Sequence, residues 1–109
     1  MKKGRSRMPD STIEDPLRRS IRLTNATWFG HIVKGHPDLS LQRLTVEHTV
    51  RRPMEIQVST YDADCRVYYS QPNKAGRMIV VVVDVVKGIV KTAYAAIKKK
   101  RGTVEWKAP

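Results

Sequence analysis

Residues 78–91, Met78-Ile79-Val80-Val81-Val82-Val83-Asp84-Val85-Val86-Lys87-Gly88-Ile89-Val90-Lys91, decide the fold. Met78 to Val83 is the longest apolar run in the chain. β-Branched side chains are restricted in a helix and pack well on a pleated surface. A short run without polar alternation fits a strand buried on both faces. Met78 to Val86 is therefore expected as the central strand. Lys87-Gly88 reads as a tight turn, with Ile89 to Ala96 returning antiparallel. If the turn has two residues, Asp84 lies opposite Lys91, a favourable cross-strand pair.

Toward the N-terminus, Cys65 to Ser70 and Glu55 to Thr60 read as two further strands, rich in β-branched and aromatic residues. Asp62-Ala63-Asp64 is a turn and Pro72 to Gly76 a loop. Earlier still the pattern becomes helical. Asn25 or Thr27 can cap a helix carrying Trp28, Phe29, Ile32 and Val33 on one face. Gly35 supplies a left-handed end and His36, before Pro37, is biased away from helix. A second helix is expected from Thr45, as N-cap, to Arg51, with Glu47 in its first turn and Pro53 closing it. Residues 1–22 hold Gly4, Pro9, Pro16 and little apolar content, and read as a flexible basic lead-in. The expected fold is α+β: two short N-terminal helices followed by a four-stranded antiparallel meander, in one domain over residues 23–109 with a basic C-terminal segment.

The chain has 109 residues, of which 40% are hydrophobic, enough for one modest core. Its formal charge is +11. Residues 1–22 carry seven basic and three acidic groups, residues 23–97 nine and six, and residues 98–109 five and one. The excess is thus concentrated at both ends, above all in Lys98-Lys99-Lys100-Arg101. Such a field attracts a polyanion, nucleic acid first. One cysteine, Cys65, excludes an intramolecular disulfide framework and a cysteine-based zinc finger. No run approaches the roughly 18 apolar residues of a membrane span. Met1-Lys2-Lys3 is not followed by the apolar stretch of a signal peptide. A cytoplasmic protein without a membrane partner is expected.

Taken in order, His31-Ile32-Val33, Gly35-His36-Pro37-Asp38, Thr45-Val46-Glu47, Asp64-x-Arg66-x-Tyr68-Tyr69, the buried strand, Val90-Lys91-Thr92-Ala93-Tyr94 and Trp106 form a pattern. It resembles the PBECR family, phage-type relatives of barnase, EndoU, colicin nuclease domains and RelE, over roughly residues 26–106. The resemblance implies a helix-plus-antiparallel-sheet fold of the barnase, EndoU and RelE type. For many relatives it also implies metal-independent RNA cleavage.

That chemistry uses the RNA 2′-hydroxyl as nucleophile. It needs a base, an acid and a group to steady the phosphorane. His31 and His36 are the proton-transfer candidates. On a continuous helix they would diverge by about 140°, and the Gly35 and Pro37 break lets His36 turn back. Arg66 suits the phosphate oxygens through its planar fork; a salt bridge to Asp62 or Asp64 is its plainer role. Thr92 and Tyr94 share a strand face and supply neutral donors, or else Tyr94 is a plate at the core rim. Tyr68, not Tyr69, has the parity of Arg66. Lys98 to Arg101 are the nucleic-acid contacts.

No cofactor or metal is expected. A zinc site at His31 and His36 would need further ligands such as Cys65 or His48 brought in by folding. RNA is the expected partner, with an acidic antitoxin-like inhibitor if the domain acts as a toxin. A non-catalytic nucleic-acid-binding module and a phage-particle or protein-interaction domain are the competing readings. Aromatic residues are 6% of the chain and show no stacking platform in the sequence, which counts against single-strand binding.

Overall fold

The structure is a computed structural model that describes residues 9–109. Seven strands form one mixed, curled sheet, a half-barrel. They are β1 (Ser11–Glu14), β2 (Ser20–Leu23), β3 (Glu55–Val58), β4 (Cys65–Tyr69), β5 (Met78–Asp84), β6 (Ile89–Ala96) and β7 (Val104–Lys107), in the spatial order β1-β2-β6-β5-β4-β3-β7. The β2–β6 pairing is parallel and all others are antiparallel. A first helical segment, α1, joins Asn25–Thr27, a π turn over Trp28–Ile32 and Val33–Gly35. After a 3₁₀ turn at Pro37–Leu39 comes α2 (Arg43–Arg51).

The expected two helices followed by a four-stranded meander of barnase type is therefore corrected. Strands β3 to β6 do pair consecutively around β5, but β1, β2 and β7 extend them on both sides and the chain begins with strands. Of the expected lead-in, residues 1–8 lie outside the described residues, and β1 and β2 occupy half of the rest. Their apolar content is only Ile13, Ile21 and Leu23, yet each is buried to 1% exposure or less. Ile13 faces Ile21 across the hairpin. Asp15 builds the turn: its Oδ1 accepts from the amides of Leu17 and Arg19, both at 2.9 Å.

One face of the sheet, the inner one, carries the main core. Ile56, Tyr68, Ile79, Val81, Val83, Val90 and Ala93 meet Trp28 and Ile32 of α1 and Val46 and Val50 of α2. Phe29, expected on the buried stripe of α1, is 58% exposed. The π turn explains this: Val33 donates to the Trp28 carbonyl five residues back, so the helical spacing changes within the segment. Gly35 does not adopt the left-handed conformation. His36, at φ −137° and ψ 73° before Pro37, leaves the helix instead. The second helix begins at Arg43 after Gln42, and Thr45 is not its cap.

The β5–β6 turn holds four residues, so Asp84 pairs with Ile89 rather than Lys91 and caps the turn by accepting from the Lys87 amide at 2.9 Å. Gly88 closes it at φ +69°, and its carbonyl accepts from the Arg22 amide at 2.8 Å. A Cβ at Gly88 would lie 2.8 Å from the Ser20 carbonyl oxygen. Gly88→Ala should therefore lower stability by more than about 1 kcal/mol, since the added methyl meets both a left-handed backbone and the neighbouring strand. Urea unfolding with an unchanged midpoint would contradict this account of the β2–β6 junction.

The curl brings the two ends of the sheet together. Arg19, behind the β1–β2 turn, donates to Asp15 Oδ2 through Nε at 2.8 Å and to Glu105 of β7 through Nη2 at 2.7 Å. Arg66 donates to the other Glu105 oxygen at 2.8 Å, and the buried Tyr68 hydroxyl donates to Asp15. Burial opposes ionisation of Asp15 and Glu105. Tyr68 and Arg19 on the first, and Arg19 and Arg66 on the second, outweigh it and hold both carboxyls below the usual range. The stability these groups contribute is complete above their ordinary values of 3.8 and 4.5 and is lost as pH falls through the lower folded values. The melting temperature should be flat near neutrality and fall below about pH 4.5, and Glu105→Gln should flatten the fall. A melting temperature constant down to pH 3 would refute the latch.

Candidate nucleic-acid interface

Among the described residues, no helix packs on the outer face of the sheet. Alternation along the strands directs Val67 and Tyr69 of β4, Val80 and Val82 of β5, and Thr92 and Tyr94 of β6 toward it. Tyr69, Met78 and Val80 form a small second core there, with Met54, Val67, Tyr94 and Ala96 against it. Above this floor lies a groove of about 180 Å³. One wall is the β3–β4 loop, residues 59–64, which presents Tyr61 at 86% exposure. The other is the segment from Ile97 to Thr103, which presents Lys100 and Arg101. Lys91 stands at the β6 end.

Specific contacts hold the walls in place. The Lys100 amide donates to the Tyr69 hydroxyl at 3.2 Å, and Lys100 Nζ lies 5.5 Å from the centre of the Tyr61 ring. Lys99 pairs with the buried Glu55 at 2.7 Å, and Gln57 donates to the other Glu55 oxygen at 2.6 Å. Burial opposes ionisation of Glu55, and the Gln57 amide with Lys99 overcomes it, so the carboxyl stays below the usual range. Burial pushes the Tyr69 phenol up, against the lowering effect of the Lys100 amide that donates to it. Asp62 also lines the groove. The Asp64 amide, first, and Lys91 hold its carboxyl below the usual range. Lys91, Lys100 and Arg101 make no ion pair among the described residues, which leaves three cations beside three tyrosine rings.

Of the five residues singled out for catalysis, His31 and His36 share a depression, His36 meets Tyr94, Thr92 shares only the strand face of Tyr94, and Arg66 stands apart. His31 and His36 border one shallow depression of about 230 Å³ at the end of α1. The His36 ring centre is 6.1 Å from that of Tyr94. Tyr94 lines the groove on one side and meets His36 on the other, so the histidine depression adjoins the groove. Thr92 shares the outer face two residues away. Arg66 points to the inner face, bonded to Glu105 and to the carbonyls of Ala63 and Cys65. Its acidic partner is neither Asp62 nor Asp64 but a residue 39 positions away.

In the run Lys98 to Arg101, Lys100 and Arg101 line the groove, Lys99 pairs with Glu55 and Lys98 is exposed. Tyr61 is an addition, and Tyr69 and Lys91, which stand in the resembling pattern, carry no site role there. Tyr61 falls between the strand expected to end at Thr60 and the turn expected at Asp62 to Asp64, and tyrosines from separate elements give no local signal of a shared surface. Cys65 is buried at the groove edge, where burial pushes its thiol up. Among the described residues, no three His, Cys, Asp or Glu side chains gather as metal ligands, and no helix is long and apolar enough to cross a membrane.

The chain matches no family model, no curated protein and no solved structure among known proteins.

Proposed function

We propose that this domain is a metal-independent endoribonuclease that holds single-stranded RNA on the outer face of the sheet and cleaves it beside His36. The observation that carries the reading is the double role of Tyr94, which lines the aromatic and basic groove and also packs against His36. Tyr61 and Tyr94 offer faces for unpaired bases above the buried Tyr69, and Lys91, Lys100 and Arg101 offer charge to the phosphates. A strand laid along the groove passes Tyr94 and reaches the histidines.

In this reading His36 and His31 are the proton-transfer pair, and Thr92 and Tyr94 donate neutral hydrogen bonds. Lys91, adjacent to Thr92 on the chain, steadies the negative charge on the phosphorane oxygens. Arg66, engaged with Glu105 on the inner face, is left out of the chemistry. The residue order similar to PBECR domains supports the same reaction. RNA in the cytoplasm is the proposed substrate, and an acidic inhibitor protein is the partner this surface suits.

Purified protein incubated with RNA in EDTA should cut it and leave 2′,3′-cyclic phosphate ends, because the ribose hydroxyl is the nucleophile. A 2′-deoxy substitution at the cut position should permit binding and block cleavage. RNA affinity should fall with salt at a slope of about −0.7 for each phosphate neutralised in a single strand, and K91A/K100A/R101A should remove about two units of slope. Cleavage only with added metal would overturn the mechanism. Binding without cleavage would establish the second reading, a non-catalytic RNA-binding module, which the engagement of Arg66 by Glu105 favours. Absence of binding at low salt would exclude both.

A further inference from the structure

A second cleft, which shares no lining residue with the tyrosine groove, lies at the C-terminal end of α2. Its volume is about 560 Å³, within the range that accommodates a small ligand. His48, Arg51 and Arg52 border it, with Pro53, the half-buried Trp106 and Gln71. Trp106 belongs to β7 and packs against the inner-face core, so this cleft is separate from the tyrosine groove.

Its charge is unbalanced. Arg19, Arg43, Arg66 and Arg77 each make an ion pair, whereas Arg51 and Arg52 make none among the described residues. Asp15 and Glu105, next in sequence to the cleft residues Pro16 and Trp106, are already taken by Arg19 and Arg66. The last turn of α2 tolerates the two cations because the negative end of the helix dipole lies there. The cleft thus combines an indole, a proline wall, an amide able to read a base edge and two free guanidiniums.

We propose that this cleft binds a nucleotide, with its base against Trp106 and its phosphate on Arg51 and Arg52. A planar apolar ring joined to a dianion is the ligand chemistry that uses both halves of the lining. The ligand is a free mononucleotide or the phosphorylated end of an RNA strand. The proposal does not depend on cleavage at the outer face.

Tryptophan fluorescence of the full chain tests it. Trp28 is buried at 2% exposure, so quenching by a ligand reports Trp106. The probes are AMP, adenosine, inorganic phosphate and a 5′-phosphorylated oligonucleotide of 2′-O-methyl RNA, which resists cleavage. AMP or the phosphorylated oligonucleotide should quench, adenosine should bind about 10-fold or more weakly, and R51A/R52A should weaken binding about 10-fold or more. Quenching by AMP alone identifies a free nucleotide, and quenching only by the phosphorylated oligonucleotide identifies a strand end. W106F should abolish the signal; circular dichroism and unfolding midpoint verify that each variant is folded. No quenching by either ligand at millimolar concentration, or equal binding by folded R51A/R52A, would overturn the proposal. Y61A/K100A should leave this signal unchanged while weakening RNA binding to the outer face, which separates the two sites.

Discussion

His36→Ala is expected to lower RNA cleavage by about 10²-fold or more, the usual size of a lost proton-transfer role. The His36 side chain is half-buried beside Tyr94. Its amide closes the last turn of α1 by donating to the Ile32 carbonyl at 2.7 Å. Alanine keeps that backbone bond, so the fold should survive and the loss should fall on turnover. RNA affinity should change by less than about threefold, because phosphate contact is assigned to Lys91, Lys100 and Arg101. Tyr61→Ala should do the reverse, weakening binding by the roughly 1–3 kcal/mol of a lost stacking partner with a smaller effect on turnover of bound RNA. Cleavage by His36→Ala within threefold of the parent rate would remove His36 from the mechanism.

Arg43→Ala should lower stability by about 3–5 kcal/mol, the cost of removing one member of a buried ion pair. Arg43 is 4% exposed. Its Nε meets Glu47 at 3.2 Å, Nη1 donates to Asn25 at 2.7 Å, and Nη2 donates to the Pro9 carbonyl at 3.1 Å and to Ser11 at 3.3 Å. Its guanidinium carbon also lies 5.8 Å from the Trp28 ring centre. One side chain thus fastens α2 to β1 and α1, and its loss leaves the Glu47 carboxylate with the Ser11 hydroxyl at 2.6 Å and no countercharge. Against a total stability of about 5–15 kcal/mol, this is a large fraction. Urea unfolding measures it directly. A loss under about 1 kcal/mol would show that the network is replaceable by water, whereas Arg43→Ala/Glu47→Leu should recover part of the deficit by removing the stranded charge as well.

The strands around the Met78–Val83 run were legible because their signal is local. A continuous β-branched run buries on both faces whatever lies beside it, and Asp62 to Asp64 turn through an Asx bond that needs no distant partner. Strands β1, β2 and β7 were not legible. Ser11–Glu14 and Ser20–Leu23 hold three apolar residues between them, and they are strands because Ile13, Ile21 and Leu23 find a core made by residues far along the chain. Lys98 to Arg101 read as a basic tail because nothing in the run shows that the chain resumes as β7 and pairs with β3.

The candidate site divides in the same way. Side-chain parity along a strand placed Thr92 and Tyr94 on one face, and a residue before proline had to leave the helix, which freed His36. The meeting of His36 with Tyr94, the engagement of Arg66 by Glu105 and the gathering of Tyr61, Tyr69 and Tyr94 depend on which strand lies beside which. By itself the sequence determined the central strand, its antiparallel neighbours, two helical segments and a strong positive charge, since each follows from periodicity, turn chemistry or counting. Only the tertiary structure decided the seven-stranded curl, the partners of each arginine and the location of the groove, because contacts between residues tens of positions apart depend on strand order and register, which leave no local periodicity.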